Sequence, residues 1–197
     1  MDRITITPLD KQLLKKLVER KKEMSSVPPE EQNIELSGWG LSFVDLFRDI
    51  NNSISFSVNG EDVNVHIGED TLAQGKDLNE GIYLHYNQAI FYEIKVLQRI
   101  QLLRQLEENR LIVWANTGKP FANFTFEEQI FYLFQDIDKN YVRNHIKYEA
   151  IATCELEEYV KRGFITIDEQ QHKESMRLGW FGVFVALFMG IVSFFIH

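Results

Sequence analysis

The chain has 197 residues, and its 45% hydrophobic and 25% charged content, with fifteen Phe, seven Tyr and three Trp, excludes a disordered or low-complexity polymer and requires a folded body. A net charge of -8 argues against indiscriminate nucleic-acid binding, and a single cysteine forbids an intramolecular disulfide. Met1 to Thr5 carry no apolar run of the kind a secretory signal needs, so a cytosolic body is expected.

Thr7-Pro8-Leu9-Asp10 opens the first helix, with Thr7 as N-cap, Pro8 at the first helical position and Asp10 near the positive helix end. Leu9, Leu13 and Leu17, flanked by Leu14 and Val18, form an apolar stripe. Lys11, Lys15, Lys16, Arg20, Lys21 and Lys22 occupy the remaining surface. Residues 1–23 therefore form a basic amphipathic helix of net charge +3, while residues 24–177 hold fourteen basic and twenty-five acidic residues. That basic face has three uses open to it: solvation, contact with anionic lipid, or docking on the acidic remainder. Residues 24–33, containing Ser25-Ser26 and Pro28-Pro29, read as a linker.

Residues 34–165 are expected to form an α+β body, predominantly helical with one β-hairpin. Leu36 to Gly40 reads as a turn, followed by a short helix over 41–50 with Phe43, Leu46, Phe47 and Ile50 inward. Ile54, Phe56 and Val58, then Val63, Val65 and Ile67, alternate around Asn59-Gly60, which is a hairpin signal with register open between a two- and a four-residue loop. Residues 68–80 read as a loop or sub-domain boundary, and Asn87 to about Asn109 as a long helix. Leu111 to Trp114 reads as a short strand. Thr125 with Glu128 forms a capping box that starts a helix turning Ile130, Phe131, Phe134, Ile137 and Tyr141 inward. A helix near Glu155 to Arg162 stops at Gly163, and a second capping box, Thr166 with Glu169, begins a helix that continues to the end of the chain.

That last helix, 166–197, holds the strongest signal. From Leu178 to Ile196 nineteen residues carry no charge, enough to cover roughly 28 Å as a helix against about 30 Å of bilayer hydrocarbon. His172, Lys173 and Arg177 stand on its near side, so the positive-inside rule keeps the body cytoplasmic and the far end across the membrane. The expectation is a single-pass, tail-anchored protein with the bilayer as a partner. Gly179, Gly182, Ala186, Gly190 and Ser193 fall on one helix face, with Trp180, Phe181, Phe184, Phe188 and Phe195 opposite, a separation that suits close helix packing and a homo-oligomer through the anchor.

Neither a cofactor nor a metal ligand set is implied, because phosphate-binding glycine loops, nucleophile elbows and common zinc spacings are missing from the sequence. Cys154 reads as a half-buried residue near a helix start, and His66, His85 and His145 are scattered. The functional expectation is a membrane-anchored body that senses or recruits an unidentified protein or small ligand, with clustered anchors perturbing the bilayer as one version. Two rivals stand beside it. The order helix 87–109, strand 111–114 and turn at Gly118-Lys119 resembles a winged-helix DNA-binding unit carrying Lys95, Arg99, Arg104 and Arg110, although the surrounding acidity makes nucleic acid a poor partner. A membrane-tethered enzyme without a local motif is the other.

Overall fold

A computed structural model of the chain describes residues 4, 6–26, 38–51, 54–67, 78–116, 130–132 and 136–196. It is α+β, with five helices and two small antiparallel sheets among the described residues. The chain divides into two units, residues 2–157 and 158–197.

The first unit opens with α1 (Pro8–Ser25). Its start is fixed by a reciprocal capping box: the Asp10 amide donates to Thr7 Oγ1 at 3.2 Å, and the Thr7 amide donates to Asp10 Oδ2 at 2.9 Å. Leu13, Leu14, Leu17 and Val18 are buried, while Leu9, expected on the same stripe, is exposed. The helix continues through Ser25 into the expected linker, whose residues 27–33 lie outside the described part. Residues 41–50 do not form the expected helix. They form β1 (Leu41–Ser42) and a single 3-10 turn, Val44–Phe47, still with Phe43, Leu46 and Phe47 fully buried. The physical reason is β6 (Tyr148–Ala152), which takes Leu41 and Ser42 as an edge through Leu41↔Ala150.

β2 (Ser55–Asn59) and β3 (Asp62–His66) form the expected hairpin, and the pairing Asn59↔Asp62 settles its loop as Gly60-Glu61. Gly60 takes φ +62°, a left-handed conformation in which a β-carbon costs energy. Phe56, Phe43 and Phe47 meet with ring centroids 4.9–5.3 Å apart, and Trp114 lies 6.0 Å from Phe43, so elements of both sheets share one aromatic core.

α2 (Leu78–Glu108) begins nine residues before the expected Asn87. The four-residue repeat Leu78, Ile82, Tyr86, Ile90, Ile94 extends the apolar row backwards, and one internal glycine, Gly81, costs only about 1 kcal/mol. Its end is a Schellman turn built on Arg110 at φ +57°: the Leu111 amide donates to the Leu106 carbonyl at 2.8 Å and that of Arg110 to Glu107 at 2.9 Å.

β4 (Ile112–Asn116) matches the expected strand, but its partner is β6, with Trp114↔Ala150, rather than a neighbouring wing strand. β5 (Ile130–Tyr132) replaces the first part of the helix expected from Thr125; Thr125 and Glu128 themselves lie outside the described residues. Ile-Phe-Tyr is strand-forming sequence, and pairing Val65↔Phe131 gives the hairpin the third strand that an isolated pair lacks. α3 (Asp136–His145) follows and packs on α2 and β3. β6, which sequence reading left unassigned within helical chain, is the middle strand of β1-β6-β4, and α1 packs against it. Its Glu149, 6% exposed, accepts from the Gly38 amide at 2.7 Å and that of Gly40 at 3.3 Å, pinning the Gly38-Trp39-Gly40 turn to the sheet.

α4 (Cys154–Lys161) starts at the N-cap Thr153, whose hydroxyl accepts from the Leu156 amide at 3.3 Å. The division between units falls within α4. The second unit holds its last turn, residues 162–166, and α5 (Ile167–Ile196).

Candidate functional site

α4 stops where expected. Gly163 at φ +71° and Phe164 at φ +67° turn the chain, with the Phe164 amide donating to the Tyr159 carbonyl at 2.9 Å and the two rings 5.7 Å apart edge to face. Burial, followed by the charge of Glu169, raises the Tyr159 phenol above its usual value. Thr166 and Glu169 then exchange backbone-to-side-chain hydrogen bonds of 3.2 Å, the second expected capping box. From that cap α5 runs unbroken for 30 residues, about 45 Å.

Along α5 the surface chemistry changes abruptly after Arg177. His172, Lys173 and Arg177 are exposed, as polar residues are expected to be. Beyond them Trp180, Phe181, Phe184, Leu187 and Phe188 are each more than 60% exposed, and Leu178 is 72% exposed. Burying one such side chain is worth about 1.5–3 kcal/mol, so these residues forgo on the order of 10 kcal/mol against water. No polar stripe offsets that loss, because the run alternates only with small or apolar residues. Monomeric soluble proteins rarely expose an apolar surface of this extent.

Gly179 and Gly182 have open space where a β-carbon would stand. Ala186, Gly190 and Ser193 lie further along the same helix, their side-chain surroundings outside the described residues. Described side chains on α5 end at Phe188, and the eighteen residues up to that point include Lys173, Glu174 and Arg177. Among the described residues no helix is long and apolar enough to cross a membrane.

The loop after α4 and one face of α5 also line an open cleft of about 560 Å³, with Arg162, Ile165, Lys173, Arg177 and Trp180 in its lining. Sequence reading identified the two α5 cations but not Arg162; the Gly163 stop signal was the clue that the chain turns there.

The basic face of α1 is divided. Lys15, Lys16 and Lys22 are exposed, Lys11, Arg20 and Lys21 half-buried. Arg20 pairs with Glu23 at 3.5 Å, and Lys21 reaches Glu157 at 2.6 Å and the Cys154 sulfur at 3.7 Å. Burial alone would lower the Lys21 pKa, but the hydrogen bond and charge of Glu157, with a smaller effect from Cys154, raise it above its ordinary value. Docking on the acidic remainder thus occupies one end of the helix, through Lys21, and leaves Lys15, Lys16 and Lys22 exposed.

The histidines and the tyrosine able to do chemistry are held in packing. Cys154 is exposed rather than half-buried, and its polar neighbour is Lys21, not a histidine. His66 Nε2 lies 2.7 Å from Ser57 Oγ inside the sheet, both side chains buried, and burial holds the imidazole pKa below its ordinary value. Near the other sheet, the Tyr141 hydroxyl donates to Glu107 at 3.3 Å, His145 Nδ1 donates to the Tyr141 carbonyl at 2.8 Å, and the Trp114 and His145 rings lie 4.6 Å apart. Burial, reinforced by Glu107, pushes the Tyr141 phenol well above its usual value. No cluster able to hold a metal ion occurs among the described residues.

Two of the four cations that a recognition helix would present are also engaged internally. Arg99, 3% exposed, donates to the Leu46 carbonyl at 2.6 Å and pairs with Asp49 and Asp10 at 2.8 and 3.3 Å. Arg104 pairs with Asp138 at 2.9 Å and lies over the Tyr141 ring.

Compared with known proteins, the chain matches no family model, no curated protein and no solved structure.

Proposed function

We propose that residues 178–196 cross a lipid bilayer as a single-pass anchor, that the 2–157 unit serves on the cytoplasmic side as a sensing or interaction module, and that anchors associate with one another. The observation that carries this reading is the bare apolar surface of α5 from Leu178 to Phe188 on a helix that continues to Ile196. A helix satisfies its own backbone hydrogen bonds, so hydrocarbon is a solvent in which both its backbone and these side chains are stable. Nineteen uncharged residues match the thickness of a bilayer core. Lys173 and Arg177 directly before the run favour a cytoplasmic near side. Self-association rests on the Gly182, Ala186, Gly190 spacing, which allows two helix backbones to approach. Ile90, Phe91 and Ile94, all exposed on α2, give the body an apolar contact surface of its own.

Fractionation tests the anchor directly. The full chain should stay in the membrane pellet through alkaline carbonate washing, and a chain lacking 178–196 should be released. Protease added to the cytoplasmic side should remove the 2–157 unit from sealed membranes. Recovery of the full chain in the carbonate supernatant overturns the reading.

A further inference from the structure

A helix entering a bilayer carries its last charged turn to the depth of the lipid headgroups, where a cation meets phosphate. In α5 that turn is Lys173 to Arg177. Arg177 directly precedes Leu178, and Lys173 stands four residues before Arg177, about 6 Å along the axis and on the same face. Trp180, three residues beyond Arg177, continues this face into the apolar run. The loop after α4 contributes Arg162 and Ile165 to the lining of the same cleft. Arg162 Nε donates to the Ile165 carbonyl at 3.3 Å, which holds the guanidinium in place. Glu174 also lines the cleft, and its Oε1 accepts from Gln170 at 3.1 Å. Three cations and one carboxylate therefore line the cleft, Glu158 acts on Arg162 from outside that lining, and among the described residues neither Lys173 nor Arg177 is held in an ion pair.

We infer that this cleft binds the phosphate headgroup of an anionic phospholipid. The inference rests on the anchoring reading above and adds the identity of the lipid contact. Arg162, Lys173 and Arg177 hold the phosphate, guanidinium groups being suited to bidentate contact with its oxygens. Met176 and Trp180 line the same cleft and supply the apolar wall that the glycerol backbone and upper acyl chain require. Free phosphate would leave that wall in contact with water. The amphipathic lining thus favours lipid over a soluble anion, and the indole of Trp180 is a side chain that settles at this depth.

The test is retention of lipid by the detergent-solubilised full chain, read by native mass spectrometry with phosphatidylglycerol, phosphatidylcholine or inorganic phosphate added. Phosphatidylglycerol should be retained selectively. Lys173→Gln with Arg177→Gln, both on the exposed helix surface and away from the loop fold, should weaken retention by about 25-fold, roughly fivefold per cation. Lys15→Gln with Lys16→Gln removes the same charge elsewhere and should leave retention unchanged. Equal retention of both lipids, an unaffected Lys173/Arg177 variant, or equal loss in the α1 variant overturns the inference, as does displacement of the lipid by millimolar inorganic phosphate. Carbonate resistance of the same samples separates the two readings: a resistant chain without lipid selectivity defeats the headgroup site alone, whereas a carbonate-soluble chain defeats the anchor.

Discussion

Placing arginine at the middle of the apolar run should expel it from the bilayer, and its length sets the size of the effect. Leu187 lies nine residues from both Leu178 and Ile196, so its position is about 13 Å from either end of the run and near the hydrocarbon midplane. Twelve residues of the run are Leu, Ile, Phe or Val, each contributing about -0.3 to -0.6 kcal/mol to insertion, roughly -5 kcal/mol together. Leu187→Arg exchanges one such contribution for about +2.5 kcal/mol or more, a swing of about 3 kcal/mol that leaves insertion favoured by only about 2 kcal/mol. A second arginine in Phe184→Arg raises the swing to about 6 kcal/mol and makes insertion unfavourable. The assay is the carbonate-resistant fraction of each variant after synthesis with membranes present. The wild type should be almost wholly resistant, the single variant slightly less so and the double variant mostly soluble. Leu178→Arg, at the headgroup boundary, should be close to wild type. Full resistance of the double variant would mean that the run never relied on hydrocarbon, and the anchor argument would fail.

Other perturbations probe separate parts of the molecule. Gly182→Leu with Gly190→Leu should remove crosslinked oligomers from membranes while preserving carbonate resistance; undiminished crosslinking would exclude that helix face. Arg99→Leu leaves Asp10, Asp49 and the Leu46 carbonyl without their shared donor and should cost about 3–5 kcal/mol, read as a drop of about 10 °C in the melting temperature of the solubilised chain. A change below about 2 °C would show the cluster to be dispensable. At Gly40 a β-carbon would overlap the Ala150 carbonyl, with the carbonyl carbon only 2.7 Å away, whereas at Gly60 it meets nothing within 4 Å and suffers only from φ +62°. Gly40→Ala should therefore cost about 3 kcal/mol and Gly60→Ala about 1 kcal/mol in urea unfolding; the reverse order would contradict the packing. Burial lowers the His66 pKa below 6.5, so the unfolded chain takes up that proton first, and stability should fall as pH drops below 6.5 until the folded pKa is passed. His66→Gln should flatten this part of the pH profile, and an unchanged slope would assign it to other groups.

Features closed by short-range bonds were legible in the amino-acid order. Thr7 with Asp10 and Thr166 with Glu169 cap their helices across three residues, Gly163 ends α4, and Asn59-Gly60 bends the hairpin. The charge-free run after Arg177 needs no partner to be recognised, because its solvent preference belongs to the side chains themselves. The fold settled matters in which distant residues compete for the same backbone groups. Tyr148–Ala152 lies in chain that reads as helical, yet it becomes the central strand because Leu41–Ser42 and Ile112–Asn116 supply its hydrogen-bond partners from both sides. Ile130 and Phe131 fit a helical apolar pattern as well as a strand, and the open edge of β3 decides for the strand. Arg99 reads as a surface cation until Asp10 and Asp49 converge on it, and Glu149 finds its role only when the Gly38 and Gly40 amides reach it. Arg162 likewise joins Lys173 and Arg177 through the turn at Gly163. Local propensity is a matter of fractions of a kcal/mol per residue, whereas an unpaired buried strand or charge costs several, so the long-range partner wins.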